Sequence, residues 1–151
     1  MNMKLAEALQ ERADLNIRIE QLRSRLCMNA TVQEGEKPAE DPRKLLSELE
    51  GCLTRLEELM AQINLTNSRT VAEGMTLTQW IARRDALKIR IEALRQMTDA
   101  ASRLAQRATR SEIKILPTVE VPVLQKQLDE ACAQLRRTDN LIQQQNWLTE
   151  L

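Results

Sequence analysis

The side chains that most often carry enzymatic chemistry are scarce in this chain. Its 151 residues include no His, three Cys and three Gly. Every mechanism that needs an imidazole, as a base, as the partner of a nucleophile or as a metal ligand, is therefore excluded. The glycines stand alone along the sequence, so there is no glycine-rich loop for a phosphate or a dinucleotide. These features predict a nonenzymatic protein without a cofactor or a metal.

The carboxylates and the cysteines have the spacing of structural residues. Glu7 and Glu11, for example, stand one helical turn apart, and a general acid would need a burial that nothing in the pattern indicates. Cys27, Cys52 and Cys132 lie far apart, each among leucines. We interpret them as small buried apolar residues of a protein in a reducing compartment.

Polar side chains collect in two stretches that interrupt the hydrophobic periodicity. If neighbouring helices alternate in direction, the first stretch lies near Trp147 and the second lies at the opposite end of the fold. Either group could form a hydrogen-bonded pocket or an interface, and local capping of turns is the alternative interpretation. The residues of this predicted polar end cluster are Asn64, Thr66, Asn67 and Trp147 at one end, and Arg107, Arg110, Glu112 and Lys114 at the other.

Long helices must position these residues. The aromatic share is 1%, and the commonest residues are Leu, Ala, Arg, Gln and Glu, which are strong helix formers. Asp41 before Pro42 is a helix start signal, and Thr76 with Gln79 is a capping-box pattern. Apolar residues recurring at spacings of three and four predict helices over 3–28, 42–65, 77–109 and 121–148.

The predicted fold is all-α, an elongated antiparallel bundle of four coiled-coil-like helices in one domain over residues 1–151. Short extended or hairpin segments are expected near 69–76 and 112–121. The stripe predicted to face the core on the second helix is Leu46, Leu49, Leu53, Leu56, Met60 and Ile63. Such narrow stripes leave a thin core and commonly pair with other copies of the same chain, so we expect a homo-oligomer.

Charge is balanced over the whole chain but sorted along it. Residues 29–63 carry four Lys and Arg against eight Asp and Glu, whereas residues 83–110 carry eight against three. Pairing between helices is one interpretation. The other is a nucleic-acid-binding module on the basic third helix, although no aromatic residue is interleaved for stacking on bases. The basic residues concerned are Arg83, Arg84, Lys88, Arg90, Arg95, Arg103, Arg107 and Arg110.

The hydropathy pattern argues against a membrane protein. The longest uncharged windows have ten residues, whereas a spanning helix needs about 20 mostly apolar ones. The first residues also lack the apolar stretch of a secretory signal, so we expect a cytoplasmic protein.

Several stretches of the sequence resemble a bacterial family described as septicolysin-like. They are Lys4–Leu15, Asn29–Glu36, Ile63–Asn67, Arg107–Lys114 and Asn146–Leu151. The resemblance implies a small helical protein that forms a homo-oligomer, with a hexamer as the expected state. It implies no catalytic residues. The family name also implies an alternative function, that of a membrane-active, pore-forming toxin.

Overall fold

A computed structural model describes residues 2–103 and 113–151. The chain forms four long α-helices and one small pair of strands, and the predicted all-α fold class is confirmed. Residues 113–120 are nonhelical, as predicted, and form no strand. The elements in chain order are α1 (Leu5–Met28), α2 (Pro42–Arg69), β1 (Val71–Ala72), β2 (Met75–Thr76), α3 (Leu77–Ser102) and α4 (Val121–Leu148).

Two helix ends differ from the predicted ones. α2 continues one turn past the predicted end near residue 65, to Arg69. Thr70 caps it, because its N–H and its hydroxyl both donate to the Thr66 carbonyl, at 2.9 and 2.8 Å. α3 ends at Ser102, where the N–H of Arg103 donates to the Ala100 carbonyl at 3.4 Å. The remainder of the predicted third helix, 104–109, lies outside the described residues.

The chain divides into two compact units. The first unit consists of Met1–Ala72 and Gln145–Leu151, and the second unit of Glu73–Gln144. The first unit therefore holds α1, α2 and the last residues of the chain, and the second unit holds α3 and most of α4.

α1 and α2 pack together in the first unit and run antiparallel. Ion pairs join Glu11 to Arg55 and Arg18 to Glu48, so the residue numbers rise on one helix as they fall on the other. The fully buried side chains that lie in these two helices are Leu5, Leu22, Leu59 and Ile63. Removal of this apolar surface from water is the main force that holds the pair together.

The buried face of α2 keeps half of the predicted stripe, since Ile63 is buried and Leu49 and Leu56 are half-buried, but it is rotated away from the other half. Leu46, Leu53 and Met60 are 49, 40 and 45% exposed, whereas Leu45 and Leu59 are buried. The cause is visible in the sequence, where apolar residues stand side by side at 45–46, 52–53 and 59–60. Two stripes with a period of seven are therefore possible, one through the first residue of each pair and one through the second. Packing against α1 selects the stripe through the first residues.

The loop between α1 and α2 is anchored by Asn29, which is 8% exposed. Its side-chain amide donates to the Arg25 carbonyl at 2.9 Å, and its side-chain oxygen accepts from the Glu40 N–H at 2.9 Å. The Arg25 guanidinium and the Glu40 carboxylate form an ion pair beside it. This pairing leaves no unsatisfied polar group on the buried Asn29 side chain.

The last residues of the chain lie against the first turn of α1. The Leu5 N–H donates to the Thr149 carbonyl, and the Leu151 N–H donates to the Met3 carbonyl, both at 2.9 Å. Glu150 accepts from the Asn2 side chain at 3.0 Å. This hydrogen bond, with the nearby Lys4 charge, holds the pKa of the Glu150 carboxyl below its usual range.

The ion pair between Glu11 and Arg55 predicts a pH-dependent stability. Two hydrogen bonds of 2.6 and 3.0 Å from the Arg55 guanidinium hold the pKa of the Glu11 carboxyl below its usual range. A carboxyl whose pKa is lower in the folded than in the unfolded state stabilises the fold at pH values above the unfolded pKa. This stabilisation is lost as the pH falls through the folded pKa. The substitution Glu11→Gln is therefore expected to lower the free energy of unfolding at neutral pH, by at most about 1 kcal/mol.

Urea denaturation at neutral pH and at about pH 3 would measure this effect. The difference between Glu11→Gln and the unmodified protein should shrink at the lower pH, because about pH 3 lies below the unfolded pKa of a glutamate, where the stability added by the lowered pKa is being lost. Glu57→Gln is the matched control, since Glu57 is exposed on α2 and forms no ion pair with a described residue. An equal loss from both substitutions would contradict the prediction.

Candidate functional site on the third and fourth helices

A tight hairpin fixes the start of α3. Glu73 and Gly74 stand at the turn with φ of 48° and 80°, the positive values that a type I′ turn requires at both positions. The Thr76 hydroxyl then accepts from the Gln79 N–H at 3.2 Å, and the Gln79 side chain accepts from the Thr76 N–H at 2.9 Å. The capping box predicted from the sequence is confirmed, and α3 begins at Leu77.

Within the second unit, α3 packs on α4 through a small apolar cluster. Ile91 of α3 is buried against Leu128 and Ala131 of α4. The buried hydroxyls of Thr98 and Thr138 donate to backbone carbonyls one turn earlier in their own helices, at 2.7 and 2.9 Å. One face of α3 therefore packs on α4, and the described part of this contact buries no unsatisfied polar side chain.

The other side of α3 carries a second apolar stripe, which is open to solvent. At 100° per residue its members fall within an arc of about 80°, and all of them are exposed, Ile89 by 73% and Met97 by 44%. A contiguous exposed apolar strip of this kind is typical of an interaction surface. The outer face of α3, as we name it, consists of Ala82, Ala86, Ile89, Ala93, Met97 and Ala100.

Two columns of charge border the outer face of α3. Asp85, Glu92 and Asp99 follow one another at intervals of seven on one side, and Arg83 and Arg90 do so on the other. If Ala86, which lies between the columns, is given heptad position a, the acidic column occupies position g and the basic column position e. These are the positions that form ion pairs between the helices of a coiled coil.

A cleft lies between α3 and α4 on the side of the basic column. It encloses about 380 Å³ and is lined by Trp80 and Arg83 of α3 and by Gln134, Arg137 and Thr138 of α4, among others. The Arg83 guanidinium lies over the Trp80 indole, 5.2 Å from the ring centroid. A neighbouring recess of about 370 Å³ shares Arg83 and Gln134 and adds Arg90. We call the first of these two the arginine cleft.

The arginines of these recesses differ from those of the first unit. In the part of the chain that the structure describes, Arg83, Arg90 and Arg137 have no carboxylate within 4.0 Å. Arg25 and Arg55 of the first unit, by contrast, are each paired with a glutamate. Unpaired guanidinium groups in a concave site are suited to an anionic ligand.

The cysteines and carboxylates form no metal centre among residues 2–103 and 113–151, because no three of them come together. Cys52 and Cys132 are half-buried and Cys27 is exposed, each as a free thiol. The prediction that all three are buried is therefore wrong for Cys27, which stands on the solvent side of the last turn of α1.

The first half of the predicted polar end cluster lies on the last turns of α2 and of α4. Asn64 and Asn67 lie in the last turns of α2 rather than in a loop, and Trp147, in α4, is 64% exposed. These three side chains make no hydrogen bond to any described residue, so they do not form the expected hydrogen-bonded turn. Thr66, also in α2, contributes its carbonyl to the helix cap. Their role in an interface stays a prediction.

In the opposite half of that cluster, Lys114 is the one residue that the structure describes. Lys114 is exposed on the nonhelical segment before α4, whereas Arg107, Arg110 and Glu112 lie outside the described residues.

The basic residues considered for nucleic-acid binding lie on several sides of α3. Arg84 is half-buried and pairs with Asp85 at 3.1 Å. Lys88 and Arg95 stand seven residues apart on a different side from Arg83. The acidic column at 85, 92 and 99 interrupts the positive charge between these groups, and Arg103 caps the helix end. Nucleic-acid binding by α3 stays a prediction.

Sequence reasoning missed both features of α3 and α4 described above. The outer face was recognisable from a second series of apolar residues, spaced by three and four, with charges seven apart on each side. The arginine cleft had no comparable signal, because it needs Arg137 of α4 to be placed beside Arg83 and Trp80 of α3.

None of the four helices, over the residues described, combines the length and the apolar character that a membrane crossing requires. No curated protein matches the chain. One solved structure, described as a functionally unknown conserved protein from Corynebacterium diphtheriae, matches with a TM-score of 0.94 and 40% sequence identity. The match covers 100% of this chain and 99% of that one.

The resemblance to septicolysin-like proteins is wrong. Residues 12–151 match a different family, described as "Family of unknown function (DUF6847)", and the solved structure carries no septicolysin description either. The hexamer and the pore-forming toxin, which the resemblance alone implied, lose their basis. Because the match runs from Arg12 to the last residue and so includes both units, the chain belongs to the family of unknown function DUF6847.

Proposed function

We propose that the protein is a nonenzymatic, cytoplasmic assembly protein in which the outer face of α3 packs against the same face of a second copy. One observation carries the proposal: the apolar residues opposite the α4 contact lie on a single arc, and all of them are exposed. An exposed strip of this length costs solubility unless it is covered. A second copy supplies a matching strip.

Charge complementarity favours a parallel arrangement of the two helices. In a parallel coiled coil, position g of one helix faces position e of the other in the next heptad. Asp85 of one copy then faces Arg90 of the second copy, and the symmetric pair forms on the other side. An antiparallel arrangement would instead place g beside g and e beside e, so that like charges face one another.

The side chains of the outer face suit a close approach of two helices. Ala86, Ala93 and Ala100 occupy the a positions, and small residues at the contact allow interaxial distances at the short end of about 8–10 Å. Ile89 occupies a d position and is the largest aliphatic side chain of the strip. Complete burial of an Ile side chain contributes about 1.5–3 kcal/mol, so Ile89 is the expected anchor of the interface.

The free cysteines support the cytoplasmic part of the proposal. Cys27, Cys52 and Cys132 are all unpaired thiols, the state that a reducing compartment maintains.

Cysteine cross-linking would test the parallel seam. Ala86→Cys and Ala100→Cys, each introduced after Cys27→Ser, Cys52→Ser and Cys132→Ala, are expected to form disulfide-linked dimers on mild oxidation, because equivalent a positions face one another in a parallel pair. Ala13→Cys, at an exposed site on α1, is the matched control and should stay monomeric on denaturing gels.

Two outcomes would contradict the proposal. Absence of a cross-link at both positions would remove the seam. A cross-link at Ala93→Cys without one at either end would indicate an antiparallel pair centred on that residue.

A further inference from the structure

We infer that the arginine cleft binds a small phosphate ester that carries hydroxyl groups. The cleft lies wholly within the second unit, between α3 and α4. Its volume of about 380 Å³ falls within the range of about 300–1,000 Å³ that small-molecule sites occupy. The inference does not require the proposed assembly, but Arg83 belongs both to the cleft and to the basic column that borders the outer face of α3.

Two guanidinium groups from different helices supply the anion-binding part of the cleft. Arg83 comes from α3 and Arg137 from α4, and neither has a carboxylate partner among the described residues. Guanidinium groups hold phosphate oxygens through paired N–H donors. A phosphate group between them would satisfy donors that the folded chain leaves to solvent.

The Trp80 indole positions the Arg83 guanidinium at the cleft. The guanidinium lies over the ring, 5.2 Å from its centroid, and a cation–π contact of this kind attracts the charged group without a hydrogen bond to a carboxylate. Arg83 donates no hydrogen bond to a described residue, so its N–H groups stay free to donate to a ligand. Trp80 therefore orients Arg83 without occupying its hydrogen-bond donors.

The other polar groups of the cleft are suited to hydroxyl groups rather than to a second anion. Thr138 is 4% exposed, and its hydroxyl donates to the Gln134 carbonyl at 2.9 Å, so the oxygen can only accept from a ligand. Glu73, on the hairpin turn, adds a carboxylate that accepts as well. A ligand with a phosphate at one end and hydroxyl donors at the other matches both parts, as a small sugar phosphate does.

Isothermal titration calorimetry with ribose 5-phosphate, inorganic phosphate and ribose as separate ligands would test the inference. The unmodified protein is expected to bind ribose 5-phosphate more tightly than inorganic phosphate, and ribose without the phosphate should give no signal. The substitution Arg137→Gln is expected to weaken the binding of ribose 5-phosphate about tenfold or more, because a charged hydrogen-bonding partner is lost.

Arg136→Gln is the matched control, since Arg136 is an exposed neighbour on α4 that does not line the cleft. This variant should bind ribose 5-phosphate with the same affinity as the unmodified protein. A second readout is the fluorescence of Trp80 in a Trp147→Phe background, which should change on titration with ribose 5-phosphate. Circular dichroism would show that each variant keeps its helices. The inference is overturned if neither phosphate probe binds at millimolar concentration, or if Arg136→Gln weakens binding as much as Arg137→Gln.

Discussion

Replacing Ile89 with Glu is expected to separate the assembled protein into single chains of 17.3 kDa. The substitution places a carboxylate on the outer face of α3, next to the acidic column of Asp85 and Glu92, in both copies at once. It removes the expected apolar anchor and brings like charges together across the seam, where an unpaired charge is costly to bury. Because Ile89 is 73% exposed in the single chain, the fold itself should change in stability by no more than about 0.5 kcal/mol.

Sedimentation velocity would measure this effect, with Ile17→Glu as the control. Ile17 is also an isoleucine in a long helix, α1, and is 59% exposed, so the chemical change is identical and only the position differs. The control should sediment as the unmodified protein does. Equal sedimentation of all three proteins would contradict the assignment of the seam to α3.

The second large effect concerns the core of the first unit. Leu22 lies in α1 and is 0% exposed, so Leu22→Ala removes three buried carbon atoms and leaves a cavity in a closely packed site. Substitutions of this kind lower the free energy of unfolding by about 2–5 kcal/mol. Since domains of this size are stable by only about 5–15 kcal/mol, the loss should be easily measured by urea denaturation followed by circular dichroism.

Ile17→Ala provides the comparison for that measurement. Its side chain is mostly in water, and the expected change in the free energy of unfolding is within about 0.5 kcal/mol. A loss for Leu22→Ala no larger than that for Ile17→Ala would contradict the packing described for α1 and α2.

The sequence was sufficient to predict the helices and several of their ends. The Asp41 carboxylate accepts from the Arg43 N–H at 3.0 Å with Pro42 in the first helical position, as the start signal predicts. The capping box at Thr76 and Gln79 forms as predicted. Such signals are local, because a cap and the turn that it stabilises involve residues close together in the chain.

The rotation of α2 could not be predicted in the same way. Leu45 and Leu46 are adjacent and equally apolar, so the periodicity of α2 alone does not tell which one faces α1. Which of the two is buried depends on packing against α1, and that information is not local.

The outer face of α3 was overlooked for a different reason. Its a positions are alanines, which occur in helices whether or not they form contacts, and the leucines of the opposite face gave the stronger pattern. The intervals of seven between the charged residues were the more specific signal. Arg137 became part of a site only once α4 was placed beside α3, because no spacing within the sequence connects it to Trp80.

The molar mass of the unmodified protein, measured by multi-angle light scattering over a range of micromolar concentrations, tests the proposed assembly most directly. Burial of the outer face of α3 against a second copy predicts a mass of at least twice 17.3 kDa, and high salt should reduce the assembled fraction only in part, since salt screens the ion pairs and not the apolar contact. A mass of 17.3 kDa at every concentration would contradict the proposal.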